Sequence, residues 1–283
     1  MRYSRHLSSL AYAIVALALV LPRAGAAQVP VDLNLVLALD SSASVDANEF
    51  ALQRDGLAAA FRDPKVVEAI QGGPLKRIAV TVFEWSGEVQ QQVDIGWTLL
   101  ESTSDVLALS NRISGLGRSI PTGATSIAGA LSFGNSLLQG SPFEANRQVI
   151  DLSGDGRNNQ GMDVRIVRRA VIGQGVTINA LAILNEHPTL NYYYEDRVIG
   201  GIGAFVQIAE DYVDYASAIN RKLIREIRSL TVSDRLEGSP ARQALASVAP
   251  LNSEIRKRES CVQRVRNELK KFAPLLIVSA PLK

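Results

Sequence analysis

Apolar and polar positions alternate in two rhythms along the chain. Residues 33–39 (LNLVLAL) form a compact apolar run ending at Asp40. Residues 77–85 (RIAVTVFEW) are β-branched and aromatic, residues 148–152 and 176–184 are short apolar runs, and residues 204–208 form a further one. Such runs read as strands. Residues 88–95 alternate polar with apolar and read as a half-buried or edge strand. Between them, helical spacing marks residues 104–113, 126–138, 162–172 and 212–230. A helix is also expected from Asp46 to about Arg62, because Asp46 with Glu49 three positions on matches a capping box.

Strands that alternate with helices predict an α/β fold. It is a doubly wound, mostly parallel sheet with helices on both faces and one antiparallel edge strand. Ligands of such sheets bind beyond the carboxyl ends of the strands, so the loops after Leu39 and after Leu152 are the places to search.

The ends of the chain follow other patterns. Arg2 and Arg5 precede a nearly continuous apolar run, residues 7–21, which is closed by Pro22 and followed by Ala24-Gly25-Ala26-Ala27. Residues 1–27 therefore read as a secretory signal peptide, the run being shorter than the roughly 20 residues of a membrane span. Export, to the periplasm of a Gram-negative type of cell, is the expected consequence. Residues 231–283 read as a basic linker and an amphipathic helical tail, with Ile255, Val262 and Leu269 seven apart. That helix could pack on the domain or touch a partner or a membrane surface.

Composition removes several function classes. The 283 residues hold one cysteine, Cys261, and two histidines, His6 and His187. An internal disulfide is ruled out, and Cys/His zinc sites and thiol–imidazole nucleophiles lack their residues. The net charge is +2, but residues 24–250 hold 19 basic and 25 acidic side chains, so the middle of the chain gives no nucleic-acid footprint. There is no G-x-S-x-G elbow and no phosphate-binding G-x-x-x-x-G-K-[ST] loop. Residues 151–158 mimic the start of an EF-hand loop, but Met162 stands where its bidentate Glu is required.

Three segments carry chemistry. Asp40-Ser41-Ser42-Ala43-Ser44 has the spacing D-x-S-x-S, directly after a strand. Pro121-Thr122-Gly123-Ala124-Thr125 precedes a helix, and Ser153-Gly154-Asp155-Gly156 follows another strand. Together they offer two carboxylates and three hydroxyls. A hard divalent cation wants such oxygens, about six of them for Mg²⁺.

In this order, on alternating strands and helices, these segments resemble the von Willebrand factor A domain with its metal-ion-dependent adhesion site. The resemblance covers about residues 31–230. It implies Asp40, Ser42, Ser44, Thr125 and Asp155 as metal ligands, some through water, with Mg²⁺ first and Mn²⁺ or Ca²⁺ as alternatives. More narrowly, Val198-Ile199-Gly200-Gly201, Phe205-Val206 and residues 219–227 resemble an exported bacterial family of unknown function, the one numbered 1194. The sequence departs from the wider pattern at Ala124, where Gly is usual, and at Gly154, where Thr often precedes the last Asp.

The implied function is non-catalytic binding. Two carboxylates neutralise a divalent ion and leave it electrophilic, so a protein partner's Asp or Glu can complete its shell. The alternative is a metal-dependent hydrolase of phosphatase or nuclease type using Asp40 and Asp155, with Arg118 or Arg157 to hold phosphate, although both read more simply as surface cations. Tyr192-Tyr193-Tyr194 could be a partner-contact strip or core packing at a loop–helix junction.

Overall fold

The computed structural model describes residues 28–228. The leader read in residues 1–27 and the tail read in residues 231–283 lie outside the described residues. Six strands form one sheet: β1 (Val29–Asp40), β2 (Ile78–Trp85), β3 (Gln91–Leu100), β4 (Phe143–Gly154), β5 (Thr177–Ile183) and β6 (Val206–Ala209). Their order is β3-β2-β1-β4-β5-β6, parallel throughout except for the edge strand β3.

Seven helices cover the sheet: α1 (Ala47–Arg62), α2 (Pro64–Gln71), α3 (Thr103–Ser114), α4 (Ile127–Gln139), α5 (Val164–Ile172), α6 (Leu190–Arg197) and α7 (Tyr215–Arg228). The pleat of β1 divides its apolar side chains between two cores. Leu33, Leu35, Leu37 and Leu39 pack with Phe50, Leu57, Leu109 and Leu223. Val36 and Ala38 face the other way, with Trp85, Leu131, Val167 and Tyr194. The sheet is thus buried on both sides, which explains why its central strands are apolar without alternation.

The winding reverses at β1, whose neighbours are β2 on one side and β4 on the other. Helix α3 packs in one core and α4 in the opposite one, so residues 115–126 must cross the carboxyl edge of the sheet. The loops after β1 and β4 end at that same edge. Topology therefore brings together the three segments that the sequence analysis singled out.

Helix α1 starts as expected, with Asp46 accepting from Asn48 and Glu49 and the Glu49 carboxylate returning to the Asp46 amide. Several boundaries differ. The unforeseen α2 follows α1 directly, because Asp63 closes one helix and caps the next ahead of Pro64. β3 begins and ends later than residues 88–95. β4 starts at Phe143 rather than residue 148; its first half is polar and pairs with β1 alone. The tyrosine strip is helical, in α6.

Candidate metal centre

Asp40 is the last residue of β1 and is fully buried. The loop after it is held from below. The Ser41 amide donates to Trp85 O at 2.8 Å and its hydroxyl to Glu84 Oε2 at 2.9 Å. Gln53 Nε2 reaches Asp40 O at 3.1 Å, and the Ala43 amide reaches Gly123 O at 2.9 Å. Glu84 also accepts the amides of Ser119 and Ile120, which draws the crossing segment onto the loop.

Arg118 closes the arrangement. Its guanidinium donates to Ser41 O at 2.8 Å, Ser42 O at 3.1 Å, Val45 O at 2.7 Å and Ile120 O at 2.9 Å. The reading of Arg118 as a surface or phosphate-holding cation is therefore corrected. It is half-buried, and four of its five N–H donors go to backbone carbonyls, three of them in the D-x-S-x-S loop and the residue after it.

Above this support Asp40, Ser42, Ser44 and Asp155 are linked by hydrogen bonds, and Thr125 lines the same cleft as Ser44. Ser44 Oγ donates to Asp155 Oδ1 at 2.8 Å, and Ser42 Oγ lies 3.2 Å from Ser44 Oγ. The Ser42 amide donates to Asp40 Oδ1 at 2.7 Å. Thr125 is buried, and its backbone is tied to the loop after β4: its amide donates to Asn159 Oδ1, and its carbonyl accepts the Asn159 amide, both at 2.9 Å. Asp155 receives a second hydrogen bond, to Oδ2, from the hydroxyl of Tyr212 at 3.0 Å.

Asp40 Oδ2 is buried and has no hydrogen-bond partner. Burial, with Asp155 nearby, pushes the Asp40 carboxyl from its ordinary 3.8 up to about 7. A buried carboxylate oxygen without a donor is costly unless something positive faces it. The donor set suits a hard divalent cation: two carboxylates and three hydroxyls, all oxygen. Among the described residues no three His, Cys, Asp or Glu side chains gather as a metal cluster, here or elsewhere, so this donor set rests on hydroxyls as much as on its two carboxylates. A cleft of about 340 Å³ opens over the centre, lined by Ala43, Ser44, Gly123, Thr125, Arg157 and His187 among others.

Of the two departures from the family pattern, the one at Gly154 has a structural reason. A Cβ on Gly154 would lie 2.7 Å from the Tyr194 hydroxyl, 2.9 Å from Asp40 Oδ2 and 3.2 Å from Trp85 Cζ2, so a threonine has no room. Tyr194 instead donates to Gly156 O at 3.2 Å. At Ala124 the backbone carbonyl accepts the Ser86 hydroxyl at 2.9 Å, a contact indifferent to side chain. The tyrosine strip divides its labour: Tyr192 is 66% exposed, Tyr193 accepts the Asn158 amide at 3.3 Å, and Tyr194 is fully buried. Sequence reasoning missed Glu84, Gln53 and Tyr212. Glu84, inside an otherwise apolar strand, was the one visible clue.

The sequence matches the family described as "Protein of unknown function (DUF1194)" over residues 30–231. No curated protein matches it. Among solved structures, proximal thread matrix protein 1 of the mussel byssus superposes with a TM-score of 0.51 at 14% identity, over 72% of this chain and 49% of that one. A von Willebrand factor type A protein from Catenulispora acidiphila gives 0.48 at 18% identity, over 70% and 43%. A second mussel structure, described with a zinc-occupied MIDAS motif, gives 0.49 at 17%, over 69% and 45%. The chain thus spans about half the length of these structures. At 14% identity the likeness to the mussel protein shows the fold alone.

Proposed function

We propose, from the premise that this chain belongs to the DUF1194 family, that it is an exported, non-catalytic binding protein, which captures an acidic group of a protein partner through a divalent cation. The observation that carries this reading is Asp40 Oδ2, buried and unpaired beside Asp155 beneath an open cleft. Export rests on the leader pattern of residues 1–27, and the periplasm is the compartment we propose.

Asp40 and Asp155 would hold the ion with Ser42, Ser44 and Thr125. When bound, a divalent cation supplies an electrophilic position open to a carboxylate from the cleft. The two carboxylates balance its charge without exceeding it, while the hydroxyls add none. Arg118 and Glu84 hold the loop in place, which would limit the rearrangement needed on binding. Small side chains at Ala43, Gly123 and Ala124 leave room for a partner's backbone to approach. Mg²⁺ is the ion we favour, with Mn²⁺ or Ca²⁺ as substitutes. Arg118 being spent on carbonyls removes one of the two cations that the hydrolase alternative would use.

Mn²⁺ provides the direct test. Water-proton relaxation by Mn²⁺ should be enhanced by EDTA-stripped protein above that of the same Mn²⁺ in buffer, then fall when an Asp- or Glu-containing peptide is added. The matching Asn or Gln peptide should leave it unchanged. No enhancement on adding Mn²⁺ refutes the metal site. Enhancement that both peptides leave alone refutes capture of acidic groups.

A further inference from the structure

Charge is buried a second time, away from the metal centre. Lys222 of α7 is 0% exposed, and its ammonium lies 2.5 Å from Asp151 Oδ1 and 3.2 Å from Glu226 Oε1. Glu226 is one turn further along α7. Asp151 sits on the core-facing row of β4, in register with Leu37 of β1 and Asn179 of β5. Asn179 donates to Glu226 Oε1 at 2.6 Å and accepts the Phe205 amide at 3.0 Å. The Phe205 ring lies 5.4 Å from the Lys222 nitrogen. Asp151 Oδ2 and Glu226 Oε2 lack hydrogen-bond partners.

As an ion pair this arrangement is poor. Two carboxylates and an ammonium leave water and recover few hydrogen bonds, and such triads are often less stable than apolar replacements. As reactants they are well placed. An amine, a carboxyl and a proton acceptor are locked in contact in a dry, aromatic-flanked site, which is the geometry that turns a slow bimolecular condensation into a fast intramolecular one.

We propose that Lys222 and Asp151 form an intramolecular isopeptide bond, with Glu226 as the proton acceptor. Glu226 carboxylate takes one proton from the Lys222 ammonium, leaving a neutral amine. The amine nitrogen attacks Asp151 Cγ and forms the new C–N bond. The C–O bond to the Asp151 hydroxyl breaks, and the hydroxyl leaves as water with a second proton from the nitrogen, passed through Glu226. The products are a neutral amide, a neutral Glu226 and one water, with no oxidant or cofactor consumed. Every buried formal charge of the triad disappears, and α7 becomes covalently tied to β4. Burial, with Glu226 next to it, raises the Asp151 carboxyl well above its ordinary range, which favours the acid form that the condensation needs.

Mass spectrometry of the denatured full chain after trypsin decides the matter. The expected result is one linked species, residues 148–157 joined to residues 222–225, lighter by one water than the sum of the two peptides. Both variants K222M and E226Q should release residues 148–157 at full mass. Wild-type protein that yields two separate peptides at full mass overturns the proposal. So does a water lost from residues 148–157 alone, which signals a succinimide at Asp155-Gly156. A linked species persisting in E226Q overturns the role given to Glu226.

Discussion

Asp40→Asn should move stability in opposite directions with and without metal. The asparagine keeps an acceptor for the Ser42 amide and replaces the unpaired Oδ2 by a neutral amide. Without metal, Asp40 titrates near 7 in the folded protein against an ordinary 3.8. A raised carboxyl binds its proton more tightly when folded, so it costs nothing below about pH 4. The cost grows as pH rises from there towards 7 and is complete at pH 8. Its size is on the order of 4 kcal/mol, at 1.36 kcal/mol for each tenfold change in protonation. For a domain of this size that corresponds to a Tm difference of about 10 °C. In EDTA at pH 8 the variant should therefore melt above the wild type, and the gap should close at pH 4. With Mg²⁺ at a hundredfold its Kd the wild type should gain about 2.7 kcal/mol, while the variant should not move. Calorimetry at the two pH values, with and without Mg²⁺, measures all four quantities. A variant that melts below the wild type in EDTA at pH 8, or that keeps the Mg²⁺ shift, would refute the reasoning.

Other outcomes follow from the support around the centre. Arg118→Lys keeps the charge but not the fork that reaches four carbonyls; it should cost about 2 kcal/mol in urea unfolding and weaken the Mg²⁺ shift. Gly154→Ala should cost about 1–3 kcal/mol through overpacking, and pairing it with Tyr194→Phe should recover part of the loss, since the nearest obstacle is that hydroxyl. Asp94, whose carboxyl is pushed up to about 7 by burial and by Glu84, should destabilise the fold as pH rises from 4 to 7. Asp94→Asn should flatten that slope in unfolding free energies compared at pH 5 and pH 8.

The sequence made the D-x-S-x-S loop readable and hid what supports it, for a physical reason. A divalent cation selects by element type, so D-x-S-x-S after an apolar run carries its meaning locally. Strands buried on both faces, and α1 with its capping box, are legible in the same local way. The opening half of β4 is not: it pairs with one neighbour and stays half exposed, so its composition matches a loop. Helix α2 is hidden because Asp63 and Pro64 look like the end of α1 rather than a shared cap. The supporting contacts are less legible still, because each is defined by a distant partner. Arg118 is unremarkable until residues 115–126 cross the sheet edge and set it against the carbonyls of Ser41 and Ser42. Gly154 looks like a lost threonine until Tyr194, on a later helix, is found filling the space. Lys222 and Glu226 are two more charged positions of a helix until the register of β4 sets Asp151 against them. Residue chemistry that acts alone can be read along the chain, whereas chemistry that needs a particular neighbour becomes visible only when the winding of the sheet supplies it.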